Sequence, residues 1–173
     1  MDSLSIYTDG SVFRNPDGCG WSAVLTRGPL IIGYASGGIR GCISATRAEL
    51  MAITVGARVL LSDRALALGV DWSATILCDS QALVILANAV VVGERAAPHQ
   101  NSDLWEKVVG MINGGHITLG YVKGHDGNFY NSLADVLARE AAYRTAVLSK
   151  RSRVTLVRRL PGELGVGGGE NPC

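Results

Sequence analysis

The chain has 173 residues, of which 47% are apolar and 18% charged, and a formal net charge of +1. That balance describes one globular domain with room for a sizeable core, and it excludes both a disordered chain and a strongly charged one. No global field marks a polyanion or a membrane surface as the partner, and the opening residues and apolar runs lead us to expect neither secretion nor a membrane span.

Residues 4–8 (LSIYT) are β-branched and aromatic and run into Asp9-Gly10-Ser11, which predicts a strand ending at a turn. Segments 20–26 and 30–36 read as two further strands, joined through Arg27-Gly28-Pro29 as a hairpin. The stretch SATRAELMAITVGARVLL keeps a helical period through Leu50, Ile53, Ala57 and Leu60/Leu61, with Thr46 and Glu49 spaced as a capping box. ATILCDS is short, uniformly apolar and closed by Asp79, the pattern of a buried central strand. SQALVILANAVV follows as a helix, then a polar loop over 93–102 and a short helix in DLWEKVVGMI. HITLGYV reads as a strand, and NSLADVLAREAAYRTAVL as the last amphipathic helix.

From Ser149 onward a basic run (Lys150, Arg151, Arg153, Arg158, Arg159) gives way to a Gly-rich end, expected to be flexible. The order β-β-β-α-β-α-α-β-α thus predicts one α/β domain over residues 1–148 and a tail over 149–173. Cys19, Cys42, Cys78 and Cys173 lie far apart without C-x-x-C spacing, which predicts reduced, mostly buried thiols and a cytoplasmic setting.

Four acids hold special places in this map. Asp9 and Asp79 close strands, while Glu49 and Asp135 sit in the opening turns of helices. In an open α/β sheet, sites form where strand ends and helix starts converge. Clustered carboxylates raise one another's pKa unless a cation compensates. An all-oxygen set suits Mg²⁺ or Mn²⁺, and a pair of such ions roughly 4 Å apart serves phosphodiester cleavage. Each acid also has a plainer reading: a turn residue for Asp9, a capping acid for Glu49, a macrodipole partner for Asp135. Asp79 is the hardest to read that way, since an acid closing an apolar strand is costly if buried unpaired.

YTDGS with Asn15-Pro16 after it, RAELMA around Glu49, LCDSQ around Asp79, SDLWE at 102–106, and VKGH followed by N-x-x-x-D-x-L-A occur in that order over residues 4 to about 142. Together they resemble the type 1 ribonuclease H family. The resemblance implies a ribonuclease H-like fold, a five-stranded mixed sheet flanked by helices. It implies endonucleolytic hydrolysis of the RNA strand of an RNA–DNA hybrid to 5′-phosphate and 3′-hydroxyl ends, by in-line attack of a water with two Mg²⁺ ions per site, Mn²⁺ substituting. It assigns metal ligation to Asp9, Glu49, Asp79 and Asp135, and an assisting role in proton handling or product release to His125. Asn15 and Ser44 match positions that hold backbone phosphate, and Gln81 one that touches the minor groove. The expected partner is the hybrid, with no membrane and a monomeric protein. Asn131 is read as a helix cap with a second role near the metals open to it.

Two departures from the family pattern stand out. Ala45 and Thr46 occupy the place where many relatives carry Asn against the RNA strand, and AVVVGERAAPHQ replaces a Lys- and Trp-rich protrusion that grips the hybrid. Phosphate contacts dominate affinity, so the basic run at 150–159 is a candidate substitute, weighed equally against a solubilising tail. Trp21, Trp72 and Trp105 are read as core or core-edge residues rather than stacking platforms. The alternative function is a catalytically weak or inactive hybrid- or duplex-RNA-binding domain. A DNA transposase or exonuclease on the same fold would share the acids but would not be expected to carry VKGH with the N-x-x-x-D pattern.

Overall fold

The computed structural model describes residues 4–61, 72–124, 126–148 and 156–158. His125, most of the basic run and Cys173 lie outside the described residues.

Strands β1 (Leu4–Phe13), β2 (Gly18–Arg27) and β3 (Leu30–Arg40) form an antiparallel meander, with the tight β2–β3 turn made by Gly28 at φ 54° and Pro29. Strand β4 (Ala74–Cys78) adds to β1 in parallel, as its mostly apolar sequence suggests, and β5 (Ile117–Tyr121) adds in parallel to β4. The five expected strands are therefore all present. A sixth, β6 (Leu156–Arg158), pairs antiparallel with Tyr34–Ser36 and completes the order β5-β4-β1-β2-β3-β6. Those three residues fall in the segment assigned to the tail; apart from the mixed Leu-Val-Arg sequence, only edge pairing identifies them as a strand.

The helix expected after β3 is in three pieces: α1 (Ala45–Met51), a π-helical turn (Ala52–Gly56) and α2 (Ala57–Leu61). Helices α3 (Gln81–Val91) and α4 (Ser102–Asn113) follow β4. Helix α5 (Phe129–Tyr143) continues into a second π-helical turn, Arg144–Leu148.

The main core lies between the sheet and α1 to α4, where Leu4, Ile6, Leu25 and Ile76 meet Leu50, Ile53, Leu104 and Trp105. Trp21 and Trp105 belong to it, and Trp72 packs against it while stacking on His116 at a centroid distance of 5.1 Å. Helix α5 covers the opposite face through small residues. A methyl group on Gly20 would overlap the Ala138 carbonyl oxygen and the Ala142 amide, and one on Gly38 would overlap Thr145. The glycines therefore let helix and sheet backbones meet at a distance no side chain would permit.

One cysteine expectation is corrected. Cys19 and Cys42 form a disulfide, with Cα atoms 5.2 Å apart. Pairing of Gly18 with Arg40 and Cys19 with Ile39, then a reversal at Gly41 (φ 70°), brings the two together across 23 residues. Local spacing carries no trace of that contact, and the argument for a reducing compartment loses its basis. Cys78 is free and buried, as expected. No helix among the described residues is long and apolar enough to cross a membrane.

Candidate active site

Parallel pairing of β1 with β4 ends at Thr8 opposite Cys78, so Asp9 and Asp79 are the next residues on two adjacent strands. Asp9 does not end its strand at a turn: β1 runs four residues further, held by β2 as far as Phe13 opposite Gly18. Its cross-strand partner Ser22 donates a 2.6 Å hydrogen bond to the Ala134 carbonyl, so this face of the strands looks onto α5 one residue before Asp135. Gly10 faces the other way. A methyl there would overlap the backbone nitrogen of Glu49, so glycine is what lets α1 settle onto the strand end.

The plainer readings of the helix acids fail on this geometry. Helix α1 is capped by Ser44, which accepts from the Arg47 amide at 3.2 Å, and not by Thr46; Glu49 is therefore no capping-box acid. Helix α5 is capped by Asn128, which accepts from the Tyr130 and Asn131 amides, and not by Asn131. Asp135 consequently lies in the second turn of α5, past the reach of the helix N-terminal dipole. Glu49 instead meets the Cys78 thiol at the end of β4, and the charge of Asp135 acts on Asp9.

The electrostatics link Asp9 and Glu49 to the other acids. Asp9 is pushed up to about 7, first by burial and then by the charges of Asp79 and Asp135. Glu49 is pushed up to about 8, again by burial first and then by Asp9 and Asp79. Arg139, one turn beyond Asp135, pairs with it and lowers the Asp9 pKa in part. A set of oxygen donors that resists ionisation fits a divalent cation, which would supply the missing positive charge.

Two residues that sequence reasoning did not place as neighbours hold the acids, and a third braces the helix that carries Glu49. The Cys78 thiol donates to Glu49 Oε2 across 3.6 Å. Asn131, only 3% exposed, donates from Nδ2 to Asp79 Oδ2 at 3.4 Å, and its Oδ1 has no partner among the described residues. Arg47 reaches Asp103 with both guanidinium nitrogens, at 3.1 and 3.0 Å, and Asn101 at 3.0 Å, tying the first turn of α1 to the start of α4. The two family blocks that hold Arg47 and Asp103 are thus joined in space. Of these, Asn131 alone had left a signal, as the first residue of N-x-x-x-D.

The expected substrate residues ring the same end without touching the acids. Asn15 is exposed in the β1–β2 turn, left-handed at φ 61° and followed by a cis bond to Pro16. Ser44 stands at the N-terminus of α1, and Gln81 is the exposed first residue of α3, two places after Asp79. Gly124 lies against Asp79, since a methyl on it would stand 2.9 Å from Oδ2.

The RNase H family profile matches residues 1–143. The chain is 33% identical over 153 residues to ribonuclease H of Prosthecochloris aestuarii, covering 80% of this chain and 94% of that protein. Among solved structures, the N-terminal RNase H domain of a Mycobacterium tuberculosis protein superposes with a TM-score of 0.61 at 23% identity, covering 82% of this chain and 94% of that one. LC11-RNase H1, solved in complex with an RNA/DNA hybrid, gives 0.64 at 19% identity, covering 82% and 97%.

Proposed function

The chain belongs to the ribonuclease H family, and from that premise we propose that it is a monomeric endonuclease of RNA–DNA hybrids. It hydrolyses the RNA strand with two divalent ions, Mg²⁺ or Mn²⁺, and leaves 5′-phosphate and 3′-hydroxyl ends. The observation that supports this reading is the meeting of Glu49 and Asp79 oxygens within 4.8 Å, with Asp9 raised to about 7 by burial and by Asp79 and Asp135, and Glu49 raised to about 8 by burial and by Asp9 and Asp79. The hybrid-bound state of LC11-RNase H1, on the same fold, supports the choice of substrate. A hybrid-binding domain without catalysis is not favoured, because the sequence keeps all four acids of the family pattern.

Asp9, Glu49, Asp79 and Asp135 would hold the ions, which when bound supply Lewis acidity at the phosphoryl group and at the attacking water. The protein's own share is positioning. Asp9 and Asp79 sit on adjacent paired strands, which fixes their spacing more firmly than a loop could. Asn131 orients Asp79, and Cys78 orients Glu49. Asp135 shares its charge with Arg139 and must exchange that partner to bind a cation. His125 follows Gly124, which packs on Asp79, and we assign it proton handling or product release at that side of the site.

Ser44 accepts one backbone hydrogen bond and keeps its hydroxyl proton for a phosphate oxygen. Asn15 would add a second phosphate contact and Gln81 one in the minor groove, where the 2′-hydroxyl distinguishes RNA from DNA. Strand β6 supports a part for the basic run: Leu156, Ser36, Ser22 and Asp9 occupy one row across the sheet. Three strand spacings separate its ends, about 14 Å.

The test uses end-labelled hybrid, duplex DNA and duplex RNA, each with Mg²⁺, Mn²⁺ or EDTA. Cleavage confined to the RNA strand of hybrid, with 5′-phosphate products and none in EDTA, is the expected result. Cleavage of duplex DNA, or hybrid binding without cleavage, would overturn it.

A further inference from the structure

Cys78 is the soft donor of the site, and the proposed reaction uses it only to orient Glu49. It is fully buried at the end of β4, and its sulfur, an oxygen of Glu49 and an oxygen of Asp79 all lie within 4.8 Å of one another. We propose that Glu49, Cys78 and Asp79 form an inhibitory site for a thiophilic divalent cation such as Zn²⁺, Cd²⁺ or Co²⁺. The inference rests on reading Glu49 and Asp79 as ligands of the working ions, since the soft cation removes those two carboxylates from them.

Two observations carry it. The first is metric: Cys78 Sγ and Glu49 Oε2 are 3.6 Å apart. A zinc ion about 2.3 Å from sulfur and about 2.0 Å from oxygen, with tetrahedral angles, separates those atoms by about 3.5 Å. The pair therefore already has the edge length of a tetrahedral site, with Asp79 in place as the third ligand. The second is Asn131, 3% exposed, whose Nδ2 contacts Asp79 while Oδ1 lacks a partner among the described residues. Its amide holds the third ligand, and its free oxygen can accept from a water that fills the fourth position.

Mg²⁺ takes oxygen donors and gains little from sulfur, whereas a thiolate favours zinc and its soft relatives. Binding is a proton exchange with no electron transfer. The metal–sulfur bond forms, the Cys78 S–H bond breaks, and its proton leaves to the buffer.

The test compares the full chain with Cys78→Ser, which keeps the size and the hydrogen bond to Glu49 but loses the soft donor. Co²⁺ alone is added first and the sulfur-to-cobalt charge-transfer band recorded. That readout needs no activity, so it stands even if the hybrid reading fails. Zn²⁺ is then titrated into Mg²⁺-supported hybrid cleavage. The expected result is a band in the parent that is lost in Cys78→Ser. The half-inhibiting Zn²⁺ concentration should also rise by about tenfold or more, since even outer partners of a metal ligand are worth that much. A band of equal strength in both proteins, no band in either, or inhibition that ignores the substitution would each overturn the proposal. The last two outcomes would leave an ion held by carboxylates alone.

Discussion

Two neighbouring regions of the sheet face very different surroundings. Where β2 and β3 meet α5, glycines and alanines bring two backbones into contact. Where β1 and β4 end, a buried and a half-buried carboxylate resist ionisation, and a buried amide oxygen has no partner among the described residues. The first region contributes packing and tolerates no added atom. The second is electrostatically unfavourable, and the first keeps it in shape. Such a division is expected where a rigid scaffold holds groups that would otherwise move apart.

The comparison can be broken from either side. Asp79→Asn should lower hybrid cleavage by roughly a thousandfold, a loss of about 4 kcal/mol in transition-state stabilisation. Its melting temperature should stay level or rise, because one of the mutually repelling charges is gone; single-turnover rates and thermal unfolding read the two effects. Gly20→Val should cost about 3 kcal/mol in denaturant unfolding, and by displacing α5 near Asp135 it should lower cleavage by less than Asp79→Asn does.

The unfavourable electrostatics also predict a pH signature. In the unfolded chain Asp9 and Glu49 titrate at about 4, and in the folded protein at about 7 and about 8. The folded state thus binds more protons across that window, so metal-free stability falls as pH rises from about 4 to about 8 and is level above. Mg²⁺ should restore it, with a larger gain in melting temperature at about pH 8.5 than at about pH 5.

Smaller effects should separate the remaining parts. His125→Ala should slow turnover by roughly a hundredfold, with cation affinity unchanged in a calorimetric titration. Deleting residues 149–173 should raise KM for hybrid and reduce the salt slope by about 0.9 for each phosphate that the basic run neutralises. An unchanged slope would return the tail to a solubilising role.

Much of this was legible along the chain, and the parts that were not share a cause. The β2–β3 hairpin, the apolar strand before Asp79 and the last helix announced themselves by period and turn chemistry. Asp9-Gly10-Ser11 misled as a turn, because pairing with β2 overrides the local preference of Gly and Ser. Ser44 and Thr46, or Asn128 and Asn131, are equally good caps by type; which one caps depends on where the chain leaves the preceding element. The Cys19–Cys42 bond, the Cys78–Glu49 contact and strand β6 all depend on register or on packing across the sheet. The acids drew notice because carboxylates are unusual beside an apolar strand such as β4 and because they fall in the family's motifs. Their supporting neighbours are ordinary residues and left almost no mark.

The central claim is that four acids from two strands and two helices hold divalent cations together. Mn²⁺ binding, followed by electron paramagnetic resonance on the parent and on Asp9→Asn, Glu49→Gln, Asp79→Asn and Asp135→Asn, tests it most directly. Weaker binding in every variant, by about tenfold or more, is the predicted result. Affinity equal to the parent's in all four would contradict it.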